Sequence, residues 1–157
     1  MAWRNDPLTI NMSLSGSRVS ENEHRQWFKG TLNNPGCVHV IGESRNDAVT
    51  ESKIGVCRFD LITDTVWEVS VNLNPTERSK GYATQFLRES ILFFTSFLGG
   101  ESCTLRALIK VTNLKSVRVF EHNGFKLSHQ DSGVLVMVRK LVDESLGGSM
   151  SAANWNS

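Results

Sequence analysis

The chain lacks the features that would place it in several large classes at once. No apolar run approaches the roughly 20 residues that span a bilayer, and the opening MAWRNDPLTI has neither the basic nor the apolar block of a secretory signal. A cytoplasmic protein with no membrane partner is expected. An excess of one charge is also missing: Lys+Arg 17 against Asp+Glu 16 give a formal net charge of +1, so no global field recruits nucleic acid and any anion site must be local. Cys37, Cys57 and Cys103 are odd in number, far apart and set in strand-like surroundings such as IGVCRF and SCTLRAL, and they read as buried free thiols. There is no CxxC or HExxH spacing, and His24, His39, His122 and His129 are scattered, so no metal is expected. Neither a Walker loop nor Gly-x-Gly-x-x-Gly occurs, which disfavours a nucleoside triphosphate or NAD.

What is present suits a compact α/β domain. With 157 residues, 39% hydrophobic and 21% charged, the chain supports one core, assigned to residues 1–141; the small, polar stretch 142–157 is expected to be a frayed, flexible tail. Ser20 followed three residues on by Glu23 is a capping-box start for a helix running to Leu32. Next come a strand at CVHVIG, a polar loop at ESRNDAVTES, and two β-rich runs, KIGVCRFDLI and VWEVSVNL, forming an antiparallel meander turned at Thr63-Asp64. Lys80 to Leu98 carries Ala83, Phe86, Leu87, Ser90, Ile91, Phe94 and Leu98 at helical spacing and is stopped by Gly99-Gly100. A strand at SCTLRALI, a helix at NLKSVRVFEHN and a hairpin of FKLSHQ and GVLVMVRKL follow. The predicted architecture is a mixed, mostly antiparallel central sheet with helices on both faces.

The segment VWEVSVNLNPTERSKGYATQFL runs from a strand through a basic loop directly into the long helix. Such a join aims backbone N–H groups and the positive helix end at one spot, a site for phosphate oxygens. Gly81 permits close approach, and Arg78 and Lys80 add local charge.

Arg78-x-x-Gly81-x-Ala83 resembles the pyrophosphate loop of the GNAT N-acetyltransferases, Gln/Arg-x-x-Gly-x-Gly/Ala. About thirty residues later Asn113, Ser116, Phe120, Gly124 and Phe125 are similar to that family's second signature, Asn-x-x-Ser-x-x-x-Tyr/Phe-x-x-x-Gly-Phe. The resemblance implies acetyl-CoA as donor, with coenzyme A as product. It also implies a strand ending at Leu73 that splays from its neighbour so that Val71 and Leu73 pair with the pantetheine arm. Arg78, Ser79, Lys80, Gly81, Tyr82, Ala83 and Thr84 would hold the diphosphate, with Asn113, Ser116 and Phe120 on the other wall. The family usually begins with a strand and part of a helix before its Trp-x-Asn segment, whereas this sequence starts at that segment, so the first strand is expected to be missing, supplied differently or lost through a mis-set start. Phe120 stands where many relatives carry the tyrosine that protonates the leaving thiolate, and Tyr82 is the only tyrosine; acid catalysis by a tyrosine of that helix is excluded.

A narrower resemblance runs from Trp3 to about Lys140. Trp3-Arg4-Asn5, the run Glu23-His24-Arg25-Gln26-Trp27-Phe28 and the stretch around Arg58 look like the branch that acetylates nucleotide-linked amino-sugars, as in pseudaminic acid pathways. It implies acceptor contacts at Trp3, Arg4, Asn5, His24, Trp27 and Arg58, and a small amine, nucleotide-linked, as partner of a monomer or homodimer. Acetylation of a protein N-terminus, a polyamine or an antibiotic is the alternative within the enzyme class, and a non-catalytic acetyl-CoA-binding module is the alternative outside it. For the base that takes the amine's proton, Glu68 is the leading candidate: several relatives carry a Glu on the equivalent strand, and burial among Trp67, Val69 and Val71 would raise its pKa. The competing reading puts Glu68 on a solvent face or in an ion pair with an arginine. His24 is the second candidate, from its ordinary pKa of about 6.5.

Overall fold

A computed structural model of the protein describes residues 2–46 and 50–142; the tail expected at 142–157 lies outside them except for Val142. Two helices, α1 (Pro7–Met12) and α2 (Glu21–Leu32), precede three antiparallel strands, β1 (Cys37–Asn46), β2 (Thr50–Thr63) and β3 (Val66–Leu73). Then follow α3 (Tyr82–Phe97), β4 (Cys103–Lys110), α4 (Leu114–His122), β5 (Lys126–Asp131) and β6 (Val134–Leu141). The six strands form one sheet in the order β1-β2-β3-β4-β6-β5, antiparallel except for β3 beside β4. Among the described residues no strand precedes β1.

Local chemistry accounts for most boundaries. Ser20 and Glu23 close the capping box of α2, with Glu23 N–H donating to Ser20 Oγ at 3.3 Å and Ser20 N–H donating to Glu23 Oε2 at 2.7 Å. The sequence reading missed α1, which is only six residues long and buries none of them. Its signal was Asp6 before Pro7: Asp6 Oδ1 accepts from Thr9 N–H at 3.0 Å, and proline suits the first helical position. The polar loop predicted at Glu43–Ser52 is mostly ladder instead, since pairing continues from Glu43↔Lys53 to Asn46↔Thr50. Polar composition signalled solvent exposure, and the hairpin arm satisfies its backbone groups by strand pairing while remaining polar.

One sheet face carries the core. Cys57, Phe59, Trp67, Val69, Leu105, Ala107, Ile109 and Met137 are buried with Phe86, Leu87, Ile91 and Phe94 of α3 and Phe120 of α4. Phe94 stacks on Phe59 at 4.1 Å between centroids and meets Trp67 edge-on at 4.9 Å. Phe86 lies against two paired glycines, Gly42 and Gly55. A Cβ on Gly55 would stand 2.8 Å from the Asn72 carbonyl oxygen and 3.1 Å from the Phe86 ring. Gly55→Ala is therefore expected to cost about 1–3 kcal/mol of stability by overpacking, seen as a lowered urea midpoint.

The other face is polar, and pairing sets its rows. Cys37↔Asp60↔Glu68↔Arg106 form one row and His39↔Arg58↔Ser70 the next. Helix α2 reaches this face through Trp27, whose ring meets His39, and α1 through Thr9, whose hydroxyl lies 3.3 Å from Asn72 Oδ1.

Candidate active site

Strands β3 and β4 share only three rungs, Val66↔Thr104, Trp67↔Leu105 and Glu68↔Arg106. Beyond them β3 stays paired with β2 as far as Gly55↔Leu73, while β4 stays paired with β6 as far as Lys110↔Val134. The sheet therefore parts along one seam. In the opening lies a cleft lined by Val69, Ser70 and Val71 on one side and Ala107, Leu108 and Ile109 on the other. Asn113, Ser116 and Phe120 of the α4 region and Met12 of α1 complete it. Backbone groups at the seam have no strand opposite them, which leaves the edges open to an extended, amide-bearing ligand.

The loop after β3 is wound tightly. Ser79 (φ 64°) and Gly81 (φ 84°) both sit in the left-handed region, and α3 begins at Gly81 with no side chain capping it. Its first-turn N–H groups at Tyr82, Ala83 and Thr84 are thus uncapped. The loop's two cations are engaged within the protein. The Arg78 guanidinium pairs with Asp6, donates to Thr9 Oγ1 at 2.7 Å and reaches the Leu73 carbonyl at 3.4 Å. Lys80 Nζ lies 3.1 Å from both oxygens of Glu77, a carboxylate only 7% exposed. Attraction for an anion must come from N–H groups and the helix end more than from net charge.

Asn113 caps α4, its Oδ1 accepting from Ser116 N–H at 3.3 Å. Phe120, 5% exposed, meets Phe125 edge-on at 4.9 Å. Buried Asn123 ties the end of α4 to the start of α3, donating to Val119 O at 2.8 Å and Thr84 O at 3.2 Å.

Glu68 occupies the last shared rung, at the closed end of the seam on the polar face. Arg106 Nη2 donates to its Oε2 at 2.7 Å, and the glutamate side chain is 25% exposed. The expected apolar burial is replaced by an ion pair, because Trp67, Val69 and Val71 alternate onto the opposite face.

Of the residues proposed for the acceptor, Arg58, Trp27 and His24 gather around one indole ring, with Arg4 close enough to act on His24. The Arg58 guanidinium lies 5.1 Å over the Trp27 ring, and His24 is 5.7 Å from the same ring. Burial, and then positive charge nearby including Arg4, hold the His24 imidazole below its ordinary pKa. Arg4 Nη2 donates to Ser15 Oγ at 2.8 Å. Asn5 serves the backbone, exchanging two hydrogen bonds with Val19 at 2.7 and 2.9 Å, and Trp3 is half-buried.

The sequence reading missed His39, Cys37, Asp60 and Arg106. The His39 ring stands 5.7 Å from Trp27 and 6.2 Å from Phe28, with Nε2 buried and unpartnered among the described residues; burial and Arg58 lower its pKa. The Cys37 thiol donates to Asp60 at 3.2 Å, and burial with that bond pushes it up to about 11, so it is no nucleophile at neutral pH. Asp60 Oδ2 lies 2.6 Å from Arg58 Nε, a charge contact without hydrogen-bond alignment. Period-two alternation in CVHV and CRFD gave the facing; the register that joins these residues was not in it. Cys57 and Cys103 are buried free thiols, and among the described residues no cluster of His, Cys, Asp or Glu could hold a metal. No described helix is long and apolar enough to cross a membrane.

The chain is an acyltransferase by its family. The sequence profile of the Acetyltransferase (GNAT) domain matches residues 1–126, and the chain belongs to that family, whose acyl donor is acetyl-CoA. Solved structures share the fold. A domain from Methanocaldococcus jannaschii is 20% identical, with 89% of this chain and 88% of that one covered at a TM-score of 0.74. The spermidine N-acetyltransferase of Vibrio cholerae, solved with CoA and spermine, is 16% identical, with 89% and 86% covered at 0.74. The Campylobacter jejuni N-acetyltransferase PseH, solved with acetyl coenzyme A, is 21% identical, with 76% and 78% covered at 0.63. Compared by sequence with curated proteins, the chain matches none.

Proposed function

We propose that the protein transfers the acetyl group of acetyl-CoA directly to the primary amine of a nucleotide-linked amino-sugar. The observation that carries the transfer site is the seam beyond Glu68 and Arg106, lined in part by α4, whose end Asn123 ties to the uncapped start of α3. The residues present fit the donor: the free strand edge at Val71 and Leu73 suits the amides of its arm, and the left-handed turn from Ser79 through Gly81 with the first turn of α3 suits its diphosphate. Bound acetyl-CoA supplies an acetyl thioester. Glu68, at the closed end of the seam, takes the proton of the acceptor ammonium, directly or through water. His24, kept neutral at pH 7, is the alternative base, but its ring is packed among Trp27 and Phe28.

Charge pairing favours the phosphate-bearing acceptor over a polyamine. A polycation calls for unpaired carboxylates, and here Asp60, Glu68 and Asp6 are each held by an arginine. Arg4, which no carboxylate holds among the described ion pairs, keeps Nη1 as a donor without a hydrogen-bond partner, and Arg106 keeps Nε so while its Nη2 holds Glu68, donors suited to phosphate oxygens. Thiol release from acetyl-CoA with a panel of amines tests this. A UDP-linked amino-sugar is the expected substrate, and turnover confined to spermidine or peptide N-termini overturns the acceptor assignment.

Phe120→Tyr is expected to give no substantial rise in turnover. A leaving thiolate with a pKa of about 8.5 gains little from a phenol of about 10. A hydroxyl buried beside Phe125 without a partner would cost roughly 1–3 kcal/mol of stability. Turnover measured from about pH 6 to 9 is the check, and a gain of about tenfold with a new basic limb would show thiolate protonation to be limiting.

A further inference from the structure

Arg78 opens the loop read above as the diphosphate site, yet its side chain turns away toward α1. One nitrogen pairs with Asp6, the N-cap of that helix, and another donates to Thr9 Oγ1 in its first turn at 2.7 Å. Asp6 Oδ1 meanwhile caps α1 through Thr9 N–H at 3.0 Å, so one carboxylate oxygen serves helix and loop together. The pair is largely sheltered, with Arg78 22% and Asp6 20% exposed at the side chain. The Asp6 carboxyl is held below its usual value, first by the bond from Arg78 and then by Thr9 N–H, so it is ionised at neutral pH.

Helix α1 forms part of the site. Met12 lines the seam, Thr9 meets Asn72 on β3 at 3.3 Å, and Lys110 at the end of β4 donates to the Asn11 carbonyl at 2.8 Å. A six-residue helix with no buried side chain cannot hold itself in place. Its position depends on these few polar ties, and the ion pair among them comes from the donor loop.

We propose that Arg78 and Asp6 are a positioning pair that couples the two halves of the site: ordering of the loop by acetyl-CoA fixes α1, and with it the wall against which the acceptor binds. Arg78 acts on the acceptor side through Asp6 and is not a phosphate ligand. The coupling is reciprocal, so the acceptor binds better after acetyl-CoA than before it. The inference rests on reading the loop as the donor site.

Asp6→Asn separates the roles, since asparagine caps a helix as well as aspartate but lacks the charge that holds Arg78. Acetyl-CoA affinity is measured by calorimetry, and hydrogen exchange is followed at Ile10 and Ser13, whose N–H groups bond to Asp6 and Thr9 carbonyls. In the unaltered protein acetyl-CoA should slow exchange at these amides by about fivefold or more, the lower end of ordinary coupling between sites. In Asp6→Asn that slowing should vanish, while protection at the start of α3 and the acetyl-CoA affinity persist. Arg78→Lys, which keeps the charge but loses the planar fork, should restore part of it relative to Arg78→Ala. The proposal is overturned if α1 exchange ignores acetyl-CoA while α3 responds. It is equally overturned if Asp6→Asn tightens acetyl-CoA binding and Arg78→Ala abolishes it, because Arg78 is then a phosphate ligand. Absence of any binding by the unaltered protein would instead overturn the donor reading beneath it.

Discussion

Glu68→Gln should lower turnover about a hundredfold near neutral pH while leaving acetyl-CoA affinity unchanged. Glutamine keeps the length and an acceptor oxygen for Arg106 Nη2, now 2.7 Å from the carboxylate, so the side chain has reason to stay where it is. What it loses is the capacity to take a proton. An ordinary alkylamine is largely ammonium at pH 7, with a pKa of about 10.4 for a lysine-like group, so the enzyme must remove a proton before nitrogen can attack. The variant should therefore recover part of its rate as pH rises and solvent supplies the neutral amine. A parallel variant, Arg106→Lys, leaves the carboxylate and its charge partner in place and should lose much less. Turnover near that of the unaltered protein for Glu68→Gln at pH 7 would pass the role to His24 or to water, and a loss of acetyl-CoA affinity would make Glu68 a structural anchor of the seam.

The legible part of this fold was the part governed by local rules. Ser20 with Glu23, the Phe86 to Leu98 periodicity and Gly124 after Asn123 announced their helices, because caps and the 3.6-residue repeat act within one or two turns. The donor loop was legible because its residues are consecutive. The polar face was not, because it is assembled by register: Asp60 stands opposite Glu68, and His39 opposite Arg58, only after β1, β2 and β3 have paired. The ion pairs of Glu68 with Arg106 and of Arg78 with Asp6 join residues 38 and 72 positions apart, a distance at which no periodicity carries information. The charge of Arg78 looked free for the same reason, since nothing near it shows that Asp6 will neutralise it; the pairing of Lys80 with Glu77, three residues earlier, was by contrast a local signal in ERSKG.

That neutralisation sharpens the test of the donor loop, because binding then depends on backbone N–H groups whose surroundings one substitution can change. Gly81→Asp should weaken acetyl-CoA binding by tenfold or more, about 1.4 kcal/mol. A Cβ at Gly81 meets nothing within 4 Å, so the side chain fits without displacing the fold. The left-handed backbone, φ 84°, costs any side chain roughly 1–2 kcal/mol, least for aspartate and asparagine, which tolerate that region. Gly81→Asn carries the same shape and strain without the charge, so the difference between the two isolates electrostatics. The aspartate places a negative charge at the start of α3, where the uncapped N–H groups of Tyr82, Ala83 and Thr84 would otherwise face diphosphate. Because a charge at a helix start can also stabilise the free protein, a folded variant with intact unfolding behaviour and weakened binding is the expected pair of results. The gap between Asp and Asn should narrow as salt is raised, since an exposed repulsion is screened over a Debye length of about 10 Å at 0.1 M. Equal affinities for folded Gly81→Asp and the unaltered protein would mean that the diphosphate binds elsewhere, and the assignment of Ser79 through Thr84 would fall.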